Sequence, residues 1–320
     1  MNDEVNDILR QHQYQYVKPL GSGSYGDVYL VNSEKYNEQF AVKIIPRRSR
    51  LSVLIDTDDQ EVSALMNLCH VNVIKLYDFW IDKSLLFIVL EYCPGGSMKE
   101  VIEERGPVPM PCLLKLFIQI ISGLAFCHEK GISHRDIKPA NILIDSFGRP
   151  RLADFGLSRQ SITGALSNAY LGSPITMAPE IVRKRPFNPF EADIWALGVT
   201  FFIMATGKTP WIAYNIDGLE RSIMAGSIIY PSSLNRSVAS FLGDILKMVP
   251  SSRPTASQLL NHPIFKQLPE NVCCCKFLKC SVGCPKTITS LFPSQIWTRK
   301  KSVRVLRPTF ADIENETKTP

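Results

Sequence analysis

Apolar and polar positions alternate through most of the first hundred residues. YQYVKPL, DVYLVN, FAVKIIP and LLFIVLEY carry β-branched and aromatic residues between turn-like breaks, which predicts strands from residue 14 onward. DQEVSALMNL, from Asp59, interrupts that rhythm. Its Val62, Leu65, Met66 and Leu68 recur at near-helical spacing, with acids at the start where the helix dipole favours them. After Pro94-Gly95-Gly96 the period becomes helical. Ser97 can cap MKEVIEERG and Pro111 can open CLLKLFIQIISGLAFCHEKG; ADIWALGVTFFIMATG and VASFLGDILKMV follow a Ser/Gly/Pro-rich stretch. The pattern predicts an α+β, bilobal chain: an extension (1–13), a domain (14–267) with a small β-rich lobe (14–93) and a larger helical lobe (94–267), and an appendage (268–320). The folded part is expected to end near residues 262–265.

At 320 residues, 45% apolar and 21% charged, the chain can bury a full core. No run of about 18 uncharged apolar residues is expected to span a membrane, GVTFFIMA from Gly198 being too short. MNDEVNDILR lacks the basic-then-apolar order of a secretory signal, so a cytoplasmic location is expected. The net charge of +6 sits in residues 271–320, with nine Lys or Arg against three Asp or Glu. No basic face interleaved with aromatics appears on the folded part, and no specific nucleic-acid partner is expected. Cys69, Cys93, Cys112 and Cys127 lie scattered in mostly apolar segments and read as buried thiols.

GSGSYG, residues 21–26, falls between two strand-like runs, so its glycines can bring backbone N–H groups close to phosphate without a Cβ clash. The dinucleotide fold with such glycines would need a helix next, and VYLVN is strand. Fifteen residues past Val28, Lys43 would point from a strand into the cleft beneath that hairpin. A lone strand lysine is most often solvated; Glu61, on the small lobe's helix, is the anion that would hold it there. HRDIKPAN, residues 134–141, places Asp136 and Asn141 five apart, with Asp154 of DFG thirteen further on. A carboxylate and an amide oxygen are the hard ligands Mg²⁺ prefers, and Asp136 remains free to accept a hydroxyl proton.

These residues together resemble the eukaryotic protein kinase family, serine/threonine-specific type. GSGSYGDV is similar to its glycine loop, AVK to its nucleotide-anchoring lysine, HRDIKPAN to its catalytic loop, DFG to its metal loop and APE to its peptide-site anchor, across residues 14–267. The resemblance implies ATP in the cleft. Leu20, Gly21, Ser22, Gly23, Ser24, Tyr25, Gly26 and Val28 would cover the nucleotide, and Ala41, Leu90, Glu91, Cys93 and Leu143 would surround adenine. Lys43, paired with Glu61, would meet the α- and β-phosphates; Asn141 and Asp154 would hold Mg²⁺ or Mn²⁺; Asp136 would be the base and Lys138 would reach the γ-phosphate. Protein substrates with Ser or Thr acceptors and an upstream kinase are implied as partners. The alternative is a catalytically weak kinase-like scaffold, which would be free to lose Asp136, Asn141 or Asp154; this chain has lost none.

The resemblance also implies structural roles. His134, Leu65, Leu76 and Phe155 would stack as a spine through both lobes, Asp193 would fix the catalytic loop's backbone, and Arg253 would pair with Glu180. Departures are visible. GSPITMAPE has Ser173 for the usual threonine and Thr176 for an aromatic, and Ser97, Ala140 and Ile203 stand where arginine-directed members carry glutamates. Within residues 154–180, Ser161, Thr163 and Ser167 are candidate phosphorylation sites, while a common phosphothreonine position is Ala169. CCCKFLKCSVGC offers Cys273, Cys274, Cys275, Cys280 and Cys284 beside lysines. Its spacing is unlike zinc knuckles; S-acylation with peripheral membrane attachment and a tail of free thiols stand level.

Overall fold

The computed structural model describes residues 3–23, 26–46, 57–160, 166–168, 170–268, 272–274 and 276–278. Five antiparallel strands form the small lobe: β1 (Tyr14–Gly23), β2 (Gly26–Ser33), β3 (Glu38–Pro46), β4 (Leu76–Asp82) and β5 (Leu85–Glu91), in the order β1-β2-β3-β5-β4. β4 is an addition to the four strands expected. Its LYDFWID segment mixes apolar and acidic side chains because it is an edge strand, and only Leu76 is fully buried. β3 lies centrally and is buried over six consecutive residues from Phe40 to Ile45.

One sheet face is covered by helix α1 (Asp3–Gln11), which the sequence reading left within the extension although Val5, Ile8 and Leu9 fall at helical spacing. Ile8 and Leu9 pack with Tyr14, Val31, Phe40, Val42, Phe87 and Val89. His12, just past this helix, stacks on Trp80 with ring centroids 4.0 Å apart. The opposite face carries α2 (Thr57–Met66), whose Val62 and Leu65 join the main core.

The large lobe begins with α3 (Met98–Arg105). Ser97 accepts from the backbone of Glu100 while the Glu100 side chain accepts from the backbone of Ser97, a reciprocal capping box, and Gly106 closes the helix at φ 75°. α4 (Met110–Glu129) is buried along most of its length. By length and composition α4 could cross a membrane, contrary to the expectation that no segment could; here it is the core helix of the lobe, with 72% of its most apolar window buried. Gly123 lets α4 approach the loop after α2: a Cβ there would stand 2.7 Å from the Asn72 carbonyl oxygen.

Short strands β6 (Ile132–Ser133), β7 (Ile142–Ile144), β8 (Pro150–Leu152) and β9 (Arg159–Gln160) frame the loops at the lobe junction, pairing as β6-β9 and β7-β8. Then follow α5 (Pro179–Val182), α6 (Pro189–Thr206), α7 (Ile216–Ala225), α8 (Arg236–Ile245) and α9 (Ala256–Leu259). Asn188 caps α6 by accepting from the Phe190 N–H. Apolar packing continues past the end expected near residues 262–265, for Val272, Cys274 and Leu278 are buried in the same core as α4.

Candidate active site

The lobes enclose a cleft of about 680 Å³. Leu20, Gly21, Ser22, Gly26 and Val28 form its roof, Leu90, Glu91, Tyr92 and Cys93 its back, and Leu143 lies on its floor. Ser24 and Tyr25, at the hairpin tip, lie outside the described residues. Gly26 has φ 127°, and a Cβ there would stand within van der Waals overlap of the Ile44 carbonyl, so the hairpin's return requires glycine.

Antiparallel register sets the inner end. Val28 pairs with Lys43 and Lys43 with Ile88, which aims the lysine side chain between the lobes. Lys43 Nζ lies 2.8 Å from Glu61 Oε2 and 2.9 Å from Asp154 Oδ1. Burial by itself would lower the ammonium's pKa, but the two carboxylates outweigh it and raise the value. At Asp154 burial acts in the opposite direction and Lys43 overcomes it, holding the carboxyl below its usual value. Both partners are therefore ionised at neutral pH.

The loop after β6 supplies the second cluster. Asp136 Oδ2 lies 2.6 Å from Lys138 Nζ, which also donates to Ser173 Oγ at 2.8 Å. The Ser173 hydroxyl donates to Asp136 Oδ1 at 2.8 Å and its backbone N–H at 3.1 Å. Asn141 Nδ2 donates to the Asp136 backbone oxygen and to Oδ2, at 2.8 and 3.0 Å. With its amide nitrogen so committed, Asn141 presents its amide oxygen as the atom able to take a cation. Asp154 and Asn141 both line the cleft. Two hard oxygens suit Mg²⁺, which leaves most of its octahedron to waters and phosphate oxygens.

Buried anchors hold this loop. The Asp193 carboxylate, on α6, takes the backbone N–H groups of His134 and Arg135 and contacts His128 Nε2 at 2.9 Å. His134 is itself fully buried, with its ring 4.6 Å from that of Phe155, and Leu65 and Leu76 are buried in the same core. Arg253 makes two bonds to Glu180, at 2.6 and 2.8 Å, and lies over the Trp195 ring.

Behind the back of the cleft, Arg151 pairs with Glu91 at 2.8 Å and with Asp145 at 3.1 Å, a network the sequence reading missed. Its signal was faint: Arg151 sits in a three-residue strand whose cation only tertiary pairing explains. Burial pushes the Cys93 thiol up, which leaves it a packing group beside the cleft. Thr176 is buried, its hydroxyl donating to the Ser173 carbonyl at 3.2 Å, and borders a cavity of about 20 Å³ with Arg135, Met177 and Asp193. Ser167 Oγ accepts from Arg135 Nη2 at 3.1 Å. Ser161 and Thr163 lie outside the described residues.

A glycine hairpin over a cleft, a lysine held by two carboxylates and an aspartate beside an asparagine and a second lysine define a nucleotide-dependent phosphotransferase scaffold. The model of the protein kinase domain matches residues 14–265, and the chain belongs to the protein kinase family. It is 33% identical over 269 residues to CBL-interacting protein kinase 5 of Oryza sativa subsp. japonica, covering 82% of this chain and 58% of the relative. To mitogen-activated protein kinase kinase kinase 3 of Arabidopsis thaliana it is 36% identical over 257 residues, covering 78% and 42%. To the probable serine/threonine-protein kinase KCC4 of Saccharomyces cerevisiae it is 34% identical over 261 residues, covering 78% and 25%. The matches thus span between a quarter and three fifths of these relatives' lengths.

Proposed function

We propose that this chain is a serine/threonine protein kinase that transfers the γ-phosphoryl group of ATP to Ser or Thr hydroxyls of protein substrates. The observation that carries this reading is the Asp136 carboxylate, which is oriented by Ser173, Lys138 and Asn141 at the inner end of the cleft that Lys43 and Asp154 also line. Apolar side chains of Leu20, Val28, Ala41 and Leu143 suit a flat adenine ring, and the Lys43 ammonium suits phosphate oxygens. Asp136 would accept the substrate hydroxyl's proton as Lys138 draws the transferring group toward it. Mg²⁺, held by Asn141 and Asp154, would neutralise charge on the phosphate oxygens.

Ser167 is the phosphorylation site favoured by geometry. Arg135 already donates to it, and Arg135 Nη1 is buried without a hydrogen-bond partner among the described residues. A phosphate there would gain charge-assisted bonds and tie the segment to the catalytic loop. The reading carries a cytoplasmic location. Membrane attachment would use acylated tail cysteines: Cys273 is exposed and Cys274 buried, and Cys275, Cys280 and Cys284, which lie outside the described residues, stand as candidates beside Cys273.

Purified chain with Mg²⁺-ATP and a degenerate Ser/Thr peptide library tests the proposal. Transfer by the wild type, lost in Asp154→Ala, is expected. ATP binding without transfer in the wild type would favour the scaffold reading, and wild-type turnover in Asp154→Ala would refute the assigned roles.

A further inference from the structure

Residues 272–274 and 276–278 do not hang from the large lobe; they lie along it. Lys115 Nζ, on α4, donates to the Val272 carbonyl at 2.8 Å. Arg105, the last residue of α3, donates through Nη1 to the carbonyls of Lys276 and Phe277 at 2.7 and 3.0 Å. Between these anchors the chain turns, the Cys274 carbonyl accepting from the N–H groups of Phe277 and Leu278. Cys274 is thereby held against α4, where its thiol and that of Cys112 are hydrogen-bonded to each other, both buried.

The two thiols are chemically unlike the buried cysteines elsewhere. Burial pushes Cys93 and Cys127 up. Cys112 is shifted down, by the Cys274 hydrogen bond first, against burial, with the Lys115 ammonium helping. It is also the third residue of α4, where backbone N–H groups and the helix dipole favour a thiolate. The exposed neighbour Cys273 shares neither the helix terminus nor the burial.

We propose that Cys112 and Cys274 are an oxidisable pair, forming on exposure to peroxide a disulfide that locks the 272–278 strap onto α4. The Cys112 thiolate attacks a peroxide oxygen, the O–O bond breaks, and Cys112 becomes a sulfenic acid with release of hydroxide. The Cys274 sulfur then attacks the Cys112 sulfur and expels the oxygen as water, the Cys274 proton being transferred with it. The two thiols lose two electrons and two protons in total; hydrogen peroxide gains them and leaves as two waters. Oxidation requires the strap to part from α4 far enough to admit the oxidant, and the Lys115 and Arg105 anchors that would have to open are hydrogen bonds. A cross-link reversible by thiols is the kind an intracellular protein uses for sensing rather than for structure.

The test uses the full chain, reduced, then treated with hydrogen peroxide near neutral pH, quenched by alkylation and digested without reductant. In a Cys273→Ser/Cys275→Ser background, Cys112 and Cys274 are the single cysteines of the tryptic peptides Gly106–Lys115 and Gln267–Lys276. The expected major product is these peptides joined and two hydrogens lighter, separated again by dithiothreitol and absent in Cys112→Ser. Fragmentation of the wild-type peptide, placing the link on the middle cysteine of three, keeps the test independent of whether the serine variants fold. If both thiols are still alkylatable after denaturation, or each carries sulfinic acid with no joined peptide, the pair is not oxidisable in the way proposed. A link from Cys112 to Cys273 instead would equally overturn it.

Discussion

Asp193 and Arg135 are 58 residues apart, yet one Asp193 oxygen accepts the Arg135 backbone N–H at 2.7 Å while the other accepts that of His134 at 2.8 Å. Arg135 has φ 69°, a left-handed backbone that non-glycine residues adopt at a cost of about 1–3 kcal/mol. A buried carboxylate facing two N–H groups offsets that cost, since each hydrogen bond to a charged group is worth about 1.5–3 kcal/mol. The loop bearing Asp136 is thus held from α6. Asp193→Asn would turn one acceptor into a donor facing an N–H. It is expected to lower the unfolding free energy by about 2–3 kcal/mol and to depress turnover, read by denaturant titration alongside peptide phosphorylation.

Ser173 separates hydroxyl chemistry from side-chain size. It bridges Asp136 Oδ1 and Lys138 Nζ, each at 2.8 Å. Ser173→Ala removes both bonds and is expected to lower kcat by at least about 10- to 100-fold, the range that one charge-assisted bond alone implies. Ser173→Thr keeps the hydroxyl and should stay within a few-fold of wild type. Steady-state kinetics on the two variants decide; equal losses would mean that size, not the hydroxyl, matters there.

His70 predicts an acid-side loss of stability. Its Nδ1 accepts the Asn72 N–H at 3.0 Å, its ring stacks on Phe126, and burial followed by the nearby Arg151 pushes its pKa down to about 4. The folded state therefore refuses a proton that the unfolded chain takes near the ordinary value of 6.5. Its contribution is full above pH 6.5 and is lost progressively as pH falls toward 4. Thermal midpoints measured across that window should fall with pH, and His70→Gln should flatten the slope even if it lowers the plateau.

Substrate choice is the fourth expectation. Ser97 and Ile203 are uncharged, Ala140 lines the cleft mouth as a methyl group, and the nearby Glu100 carboxylate gives one of its two oxygens, Oε2, to the Ser97 N–H and hydroxyl. An arginine two or three residues before the acceptor would lose hydration without a bidentate partner. A peptide library should show no strong selection for arginine at either place. Tenfold selection would reveal about 1.4 kcal/mol of recognition that the expectation lacks.

Much of the site was legible along the chain because its chemistry is local. A glycine hairpin, a strand lysine and the short HRDIKPAN loop each fold within one turn or one pair of strands, and the Ser97 cap and the α3 period are likewise set by neighbours in sequence. β4 and α7 were less legible. β4 is a half-exposed edge with mixed polarity and imprints no clean period; α7 does carry one, Ile216, Leu219 and Ile223 falling at helical spacing, but it is short and buries little beyond Ile223.

By itself, then, the sequence determined the family's motifs, the change from strand to helix after Gly96, and the polar side chains available for phosphate chemistry, because these depend on residue type and short-range spacing. Tertiary structure decided what those side chains meet. Lys43 and Asp154, 111 residues apart, share an ion pair only because β3 and the loop after β8 face one cleft. Arg151 becomes a support for Glu91, and a segment that read as an appendage becomes a strap whose Cys274 lies on Cys112. The reason is physical: burial partners are chosen by which surfaces the packed lobes bring together, and no local period encodes a contact across more than a hundred residues.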